Sequence, residues 1–291
     1  MLVSFIISWF WLVSLASVYL KDMSKDLEKV VEIAKGAGAI LLDFYDRDYS
    51  TQEKDNNTPV TEADFAAEKY IKEELNKSFS YPILSEETVD NMDRLKSEYL
   101  WIVDPMDGTK DFISKSGEFT VVVGLARKSE SILGVVYNPF SKQLFFAEKG
   151  GGAFFQERDG EIKPAHVSGT IDFSKATFLV SRSGLTSTRT VEILEELGVK
   201  DSVPVGSFAY KVGLIAIGKF DTYFSFGSLA SEWDTCAPDI IIREAGGEMT
   251  DLYGDPLLYN QENVKREKGM VITNGALHQD LLSSLKPYIK A

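Results

Sequence analysis

Two acids flank a proline in Asp104-Pro105-Met106-Asp107, and Gly108-Thr109 follows directly. The apolar run from Leu100 to Val103 stops at the first acid and reads as a buried strand. Pro105 has no N–H to extend a ladder and cannot sit inside a helix, so the chain is expected to turn there. Across such a turn Asp104 and Asp107 can converge on a hard cation that takes carboxylate and carbonyl oxygens. Gly108 and Thr109 can offer backbone N–H groups to a phosphate if a helix begins beside them. By itself the stretch is equally an acidic surface turn, because Asp, Pro and Gly favour turns for local reasons.

Other acids widen the case for a cation. Glu86, Asp104, Asp107 and Asp234 come from three separated segments, each at the end of an apolar element. Burying carboxylates there without a cation is costly, so a metal ion is the economical explanation. One cysteine, Cys236, excludes an intrachain disulfide and a multi-cysteine zinc site. Two histidines, His166 and His278, are a poor basis for a His-rich centre, which leaves oxygen ligands. The single cysteine is compatible with a reducing compartment, and a cytoplasmic location is expected. A net charge of −13 argues against nonspecific binding to nucleic acid or anionic lipid. A small phosphate ester therefore needs local cations to offset that field. With 44% hydrophobic and 26% charged residues over 291 positions, the chain has the composition of a globular enzyme of one large or two moderate domains.

The elements that position these acids follow from periodicity. From Leu27 onward, Val30, Val31, Ile33, Ala34, Ala37, Ile40, Leu41 and Phe44 have helical spacing. Residues 49–58 are polar and read as a loop. Thr61-Glu62-Ala63-Asp64 is a capping box, with Val60 and Phe65 as its hydrophobic staple. Ile83-Leu84 reads as a strand end that delivers Glu86. Phe119 to Ala126, Ser131 to Tyr137 and Leu144 to Glu148 read as an antiparallel meander. Gly150-Gly151-Gly152 is a hairpin turn, because no Gly-Lys-Ser/Thr ending follows it. Beyond His166, strands and helices alternate: Thr177 to Ser181, helix Thr188 to Leu197, a strand near Val203, helix Phe208 to Gly218, strand Thr222 to Phe226, helix Cys236 to Ala245. Cys236, with no histidine nearby, is expected to pack rather than attack.

Three blocks carry a resemblance. Asp104-Pro105-Met106-Asp107-Gly108-Thr109, Leu84-Ser85-Glu86-Glu87 upstream, and Trp233-Asp234-Thr235-Cys236-Ala237-Pro238 with Glu244-Ala245-Gly246-Gly247 downstream resemble the signatures of the inositol monophosphatase superfamily of magnesium-dependent, lithium-sensitive phosphatases. The resemblance runs from about residue 24 onward and favours the branch that hydrolyses 3'(2'),5'-bisphosphate nucleotides. It implies a layered αβαβα sandwich of the inositol monophosphatase and fructose-1,6-bisphosphatase type. It also implies that two or three Mg²⁺ ions are held by Glu86, Asp104, Asp107, Asp234 and the Met106 carbonyl, and shared with the substrate phosphate. Asp64 and Thr109 are then the pair that takes up the proton of the attacking water. Glu86, Met106, Asp107, Gly108, Thr109 and Asp234 would all meet the substrate, and Lys54 resembles the family's loop lysine that closes over it.

Substrate choice falls to the C-terminal half. Gly206-Ser207-Phe208-Ala209-Tyr210-Lys211 matches the Gly-Ser-x-x-x-Lys stretch that in the nucleotidase branch holds the nucleotide and its second phosphate, through Ser207 and Lys211. The competing reading of Lys211 is a solvated helix residue opposite Phe208, Val212 and Ile215. Inositol phosphatases carry a glutamate where this chain reads Tyr223-Phe224-Ser225-Phe226-Gly227, which counts against inositol. Ser181-Arg182-Ser183 is followed by Gly184 where the nucleotidase branch has histidine, which counts the other way. The expected reaction is removal of the 3'(2')-phosphate from adenosine 3',5'-bisphosphate. An inositol or sugar phosphatase is the alternative, and a silent phosphatase-fold binding protein is the reading outside enzymes. Intact Asp64, Thr109 and ligand carboxylates argue against the last.

Residues 2–20 form an apolar stretch with Phe5, Trp9, Phe10, Trp11 and Tyr19, about the length of a bilayer crossing. It reads as an anchor associating the protein with a membrane, or as an extension preceding a start at Met23. It makes a poor cleaved signal, lacking a preceding cation and a small-x-small site. The expected organisation is 1–22 as that segment, 23–165 as an α+β domain with most ligands, and 166–291 as an α/β domain with the last ligand and the substrate contacts. A homodimer is a further expectation.

Overall fold

The structure is a computed structural model that describes residues 23–47, 49–53, 59–182, 187–227 and 230–289. The apolar segment 2–20, Lys54, Ser183 and Gly184 lie outside the described residues. Among the described residues no helix is long and apolar enough to cross a membrane.

Helix α1 spans Lys25–Tyr45 and is capped by Ser24, whose Oγ accepts from Leu27 N. Strands β1 (Thr51–Glu53) and β2 (Pro59–Thr61) form a small hairpin before α2 (Glu62–Ser78). The expected capping box is present at Thr61 and Asp64. Of the two staple residues Val60 is buried, whereas Phe65 stands 44% exposed.

A seven-stranded sheet follows, built from β3 (Ile83–Ser85), β4 (Tyr99–Asp107), β5 (Thr120–Arg127), β6 (Glu130–Asn138), β7 (Gln143–Glu148), β8 (Gly152–Glu157) and β9 (Ile162–Pro164) in sequence order. Only β3 and β4 pair in parallel, so β4 to β9 make the expected meander. Short helix α3 (Thr109–Ile113) interrupts it between β4 and β5. The second sheet has the order β11-β10-β12-β14-β13. It interleaves β10 (Thr177–Val180), α4 (Thr188–Glu196), β11 (Asp201–Pro204), α5 (Phe208–Ala216), β12 (Thr222–Ser225), α6 (Glu232–Glu244), β13 (Glu248–Thr250), β14 (Met270–Thr273) and α7 (His278–Leu285).

Alternation along the strands explains the layering, since successive side chains point to opposite faces. Val121, Val123, Val135 and Phe146 pack with α1 and α2, whereas Val122, Val136 and Phe145 face α5 and α6. In the second sheet Leu179, Tyr223 and Ile272 join that same inner core, while Phe178, Phe224 and Val271 face α4 and α7. Both sheets are covered on both sides, which is why their strands read as unbroken apolar runs. The result is the expected αβαβα stack.

Two expectations are corrected here. Strand β4 does not stop at Pro105. It runs to Asp107, and the pairing steps from Asp104–Val122 to Asp107–Thr120, so Pro105 and Met106 on β4 oppose the single residue Val121 on β5. A bulge absorbs the missing N–H, and the chain turns only at Gly108, with φ 102°. Helix α6 begins at Glu232 rather than at Cys236. The overlooked signal is a second capping box, Ser231 with Asp234 at the third helical position. Close packing holds α6 in place: a Cβ on Gly124 would lie 2.7 Å from Cys236 Sγ, and one on Gly134 would strike the Ala237 backbone. Burial pushes the Cys236 thiol well up, as suits a packing residue.

His278 gives the second sheet an acid liability. It is fully buried, with Nε2 2.9 Å from Thr250 Oγ1 and Nδ1 3.1 Å from Thr273 Oγ1. Burial lowers its pKa from 6.5 to about 4. Glu248, 3.8 Å away, favours the charged ring, but it is 44% exposed and screened by water. The unfolded chain takes up this proton near pH 6.5 and the folded one only near pH 4. Stability from the neutral ring is therefore complete above pH 6.5 and is lost as the pH falls towards 4, by roughly 3 kcal/mol. Urea unfolding at pH 7, 5.5 and 4.5 should show this slope, flattened in His278→Gln. An unchanged slope in the variant would place the acid sensitivity elsewhere.

Candidate active site

The β4 bulge, the end of β3 and the starts of α5 and α6 meet in a cleft of about 560 Å³ whose walls include Glu86, Asp104, Met106, Asp107, Gly108, Thr109, Ser207, Lys211 and Asp234. Asp104, 1% exposed, accepts from Met106 N through Oδ1 at 2.9 Å. Asp107 is held from the side: its Oδ2 accepts from Ser207 Oγ and from Ala209 N, both at 2.6 Å. Asp234 uses Oδ2 to accept from Ser231 N at 2.6 Å, as the α6 capping box requires. One oxygen from each of Asp104, Asp107 and Asp234 lies within 4.8 Å of the others. Glu86 follows β3, where its N–H donates to the Val103 carbonyl at 3.2 Å, and it lines the same cleft.

These acids are badly placed without a cation. Burial, then the charges of Glu86, Asp234 and Asp107, push Asp104 well above the usual carboxylate range. Burial, then Asp107 and Glu86, do the same to Asp234. Asp107 is also raised by burial, but the bonds from Ser207 and Ala209 and the charge of Lys211 oppose it. Among the described residues none of the three is in an ion pair. Three converging buried carboxylates, two of them raised by their acidic neighbours and none in an ion pair among the described residues, fit an oxygen-preferring divalent ion.

Next to them stands the Asp64 and Thr109 pair. Asp64 Oδ2 accepts from Thr61 N and Thr61 Oγ1, each at 2.7 Å, and this leaves Oδ1 to accept from Thr109 Oγ1 at 3.3 Å. Thr109 Oγ1 is also 3.4 Å from the Met106 carbonyl. Gly108 must be glycine here, because at φ 102° a Cβ would lie 2.8 Å from the Glu118 carbonyl.

Ser207 and Lys211 stand further back. Ser207 is 3% exposed and bridges Asp107 to Thr120 Oγ1 at 2.9 Å. Lys211 is 4% exposed, so it is not a solvated helix residue. Its Nζ donates to the carbonyls of Val205, Gly206 and Ser207, which occupies all three protons. Burial brings its pKa down to about 8, with Asp107 the first charge opposing that. Missed from the sequence were Ser231 behind Asp234, the Ala209 N–H behind Asp107, and Arg182, which bonds Asp111 at 2.9 Å and Glu118 at the cleft rim. Only the first had a legible signal, the Ser-x-x-Asp spacing.

The chain is similar to known proteins over most of its length. The profile of the Inositol monophosphatase family matches residues 22–290. The protein named 3'(2'),5'-bisphosphate nucleotidase CysQ from Aggregatibacter actinomycetemcomitans is 34% identical over 238 residues, covering 81% of this chain and 87% of that one. Among solved structures, CysQ from Bacteroides thetaiotaomicron, described as a bacterial member of the inositol monophosphatase family, is 31% identical with a TM-score of 0.75, covering 87% of this chain and 98% of that one. The extragenic suppressor protein suhB from Bartonella henselae is 27% identical with a TM-score of 0.79, covering 91% and 100%.

Proposed function

From the premise that this chain belongs to the inositol monophosphatase family, we propose that it is a Mg²⁺-dependent phosphatase that removes the 3'(2')-phosphate from adenosine 3',5'-bisphosphate and related nucleotides, giving AMP and phosphate. The observation that carries the reaction class is the convergence of Asp104, Asp107 and Asp234 beside Thr109 and Asp64. The nucleotide is supported by the names of the CysQ relatives and by the absence of an acid in the Tyr223 to Gly227 stretch.

In this reading Glu86, Asp104, Asp107, Asp234 and the Met106 carbonyl hold two or three Mg²⁺ ions. When bound, Mg²⁺ supplies the positive charge that acidifies a water and offsets charge on the phosphoryl and leaving oxygens. The chain's own residues do the rest. Ser207 and Ala209 fix the Asp107 carboxylate, and the Ser231 N–H fixes Asp234, so the ligand oxygens need no rearrangement. Thr109 Oγ1 accepts a proton from the water as it passes its own to Asp64 Oδ1. The backbone N–H groups of Gly108 and Thr109, at the start of α3, donate to the phosphoryl oxygens. The water oxygen bonds to phosphorus and the ester P–O bond breaks; the leaving alkoxide takes a proton from solvent water and Asp64 returns its proton to solvent, so one water is consumed per ester cleaved.

One observation favours the second reading, an inositol or sugar phosphatase: the protons of Lys211 are already committed to backbone carbonyls. Phosphate release from adenosine 3',5'-bisphosphate, inositol 1-phosphate and fructose 1,6-bisphosphate, with Mg²⁺ and with chelator, decides between them. The nucleotide is expected to be preferred, chelator to abolish release, and millimolar lithium to inhibit. Release undiminished by chelator would sink the metal assignment.

A further inference from the structure

The cleft does not end at the carboxylates. A second recess of about 410 Å³ opens from it, and Asp107, Asp234, Ser181 and Phe208 belong to the walls of both, so the two form one continuous groove. The cation lining this second recess is Arg189, in the first turn of α4. Its guanidinium carbon lies 3.5 Å from the centroid of the Phe226 ring. Among the described residues this half-buried guanidinium has no carboxylate or carbonyl acceptor. Stacking on an aromatic face holds the guanidinium plane and leaves its N–H groups available to an anion.

Two of the three other cations along the groove have tasks already. Lys211 spends its protons on the loop at 205–207. Arg182 is tied to Asp111 and Glu118. Lys110 is exposed immediately after Thr109, at the end of the groove where the phosphate is cleaved. A substrate whose reacting phosphate sits at the carboxylates, and which extends into the second recess, therefore meets one unpaired, pre-oriented guanidinium.

We propose that Arg189, braced by Phe226, recognises a second phosphate of the substrate, remote from the one hydrolysed. The inference rests on the phosphatase reading above and names the residue that separates bisphosphate from monophosphate substrates. No bond is made or broken at this end of the groove.

The test compares the full-length enzyme in Mg²⁺ with Arg189→Ala and Arg189→Lys on adenosine 3',5'-bisphosphate and adenosine 3'-monophosphate. Arg189→Ala should lose roughly ten- to a hundredfold in kcat/KM on the bisphosphate, mostly through KM, and less than about threefold on the monophosphate. Arg189→Lys should recover part of the loss, as a point charge without the fork. AMP, which keeps the remote phosphate, should inhibit Arg189→Ala more weakly by a similar factor, while inhibition by inorganic phosphate is unmoved. Equal losses on the two nucleotides overturn the assignment in favour of base stacking, and equal small effects overturn it as well. If the unaltered enzyme prefers inositol 1-phosphate, the nucleotide reading fails, and Arg189 is then judged on AMP against phosphate inhibition alone.

Discussion

Asp104→Asn should lower phosphatase turnover by more than about a hundredfold, since residues that merely support a metal ligand already cost ten- to a hundredfold when removed. The same change should make the metal-free protein more stable. Asp104 is buried beside Glu86, Asp234 and Asp107, and their mutual repulsion is part of what raises its pKa. A neutral amide of the same shape relieves that repulsion and can keep the acceptor for Met106 N. In chelator, the melting temperature of Asp104→Asn should rise by about 2–4 °C for each kcal/mol relieved. The rise that Mg²⁺ produces in the unaltered protein should shrink in the variant. Near-normal turnover together with an undiminished Mg²⁺ response would show that the cluster is not the metal centre.

The second large effect is expected at Asp64. Its two carboxylate oxygens divide two tasks: Oδ2 closes the α2 capping box and Oδ1 faces Thr109. Asp64→Asn can keep the acceptor that Thr61 N needs, so the cap should change stability by no more than about 1 kcal/mol. It cannot take up a proton, and turnover should fall by about a hundred- to ten-thousandfold. Asp64→Ala loses both tasks and should add the stability loss to the same rate loss. Were the residue only a cap, the asparagine variant would keep most of its activity and the alanine variant would fail through unfolding. Turnover and urea midpoints measured on both variants separate the two roles.

Much of this protein was written locally. The Thr61 to Asp64 box, the helical spacing from Leu27 to Phe44, and the meander expected from Phe119 to Glu148 depend on near neighbours in the chain, and each forms. The acids were also legible as a group, because a carboxylate ending an apolar run needs a partner wherever the chain goes. What the sequence could not determine is which oxygen faces which. The Pro105 bulge requires β5 alongside, since a proline reads as a stop until a neighbouring strand shows that an extra residue can absorb its missing N–H. Lys211 looked like a free cation at a pocket because its acceptors are carbonyls, and carbonyls carry no residue identity. Arg189 was invisible for the complementary reason. Its meaning lies in what fails to pair with it once α4, β12 and α6 are brought together around one groove, and long-range packing alone decides that.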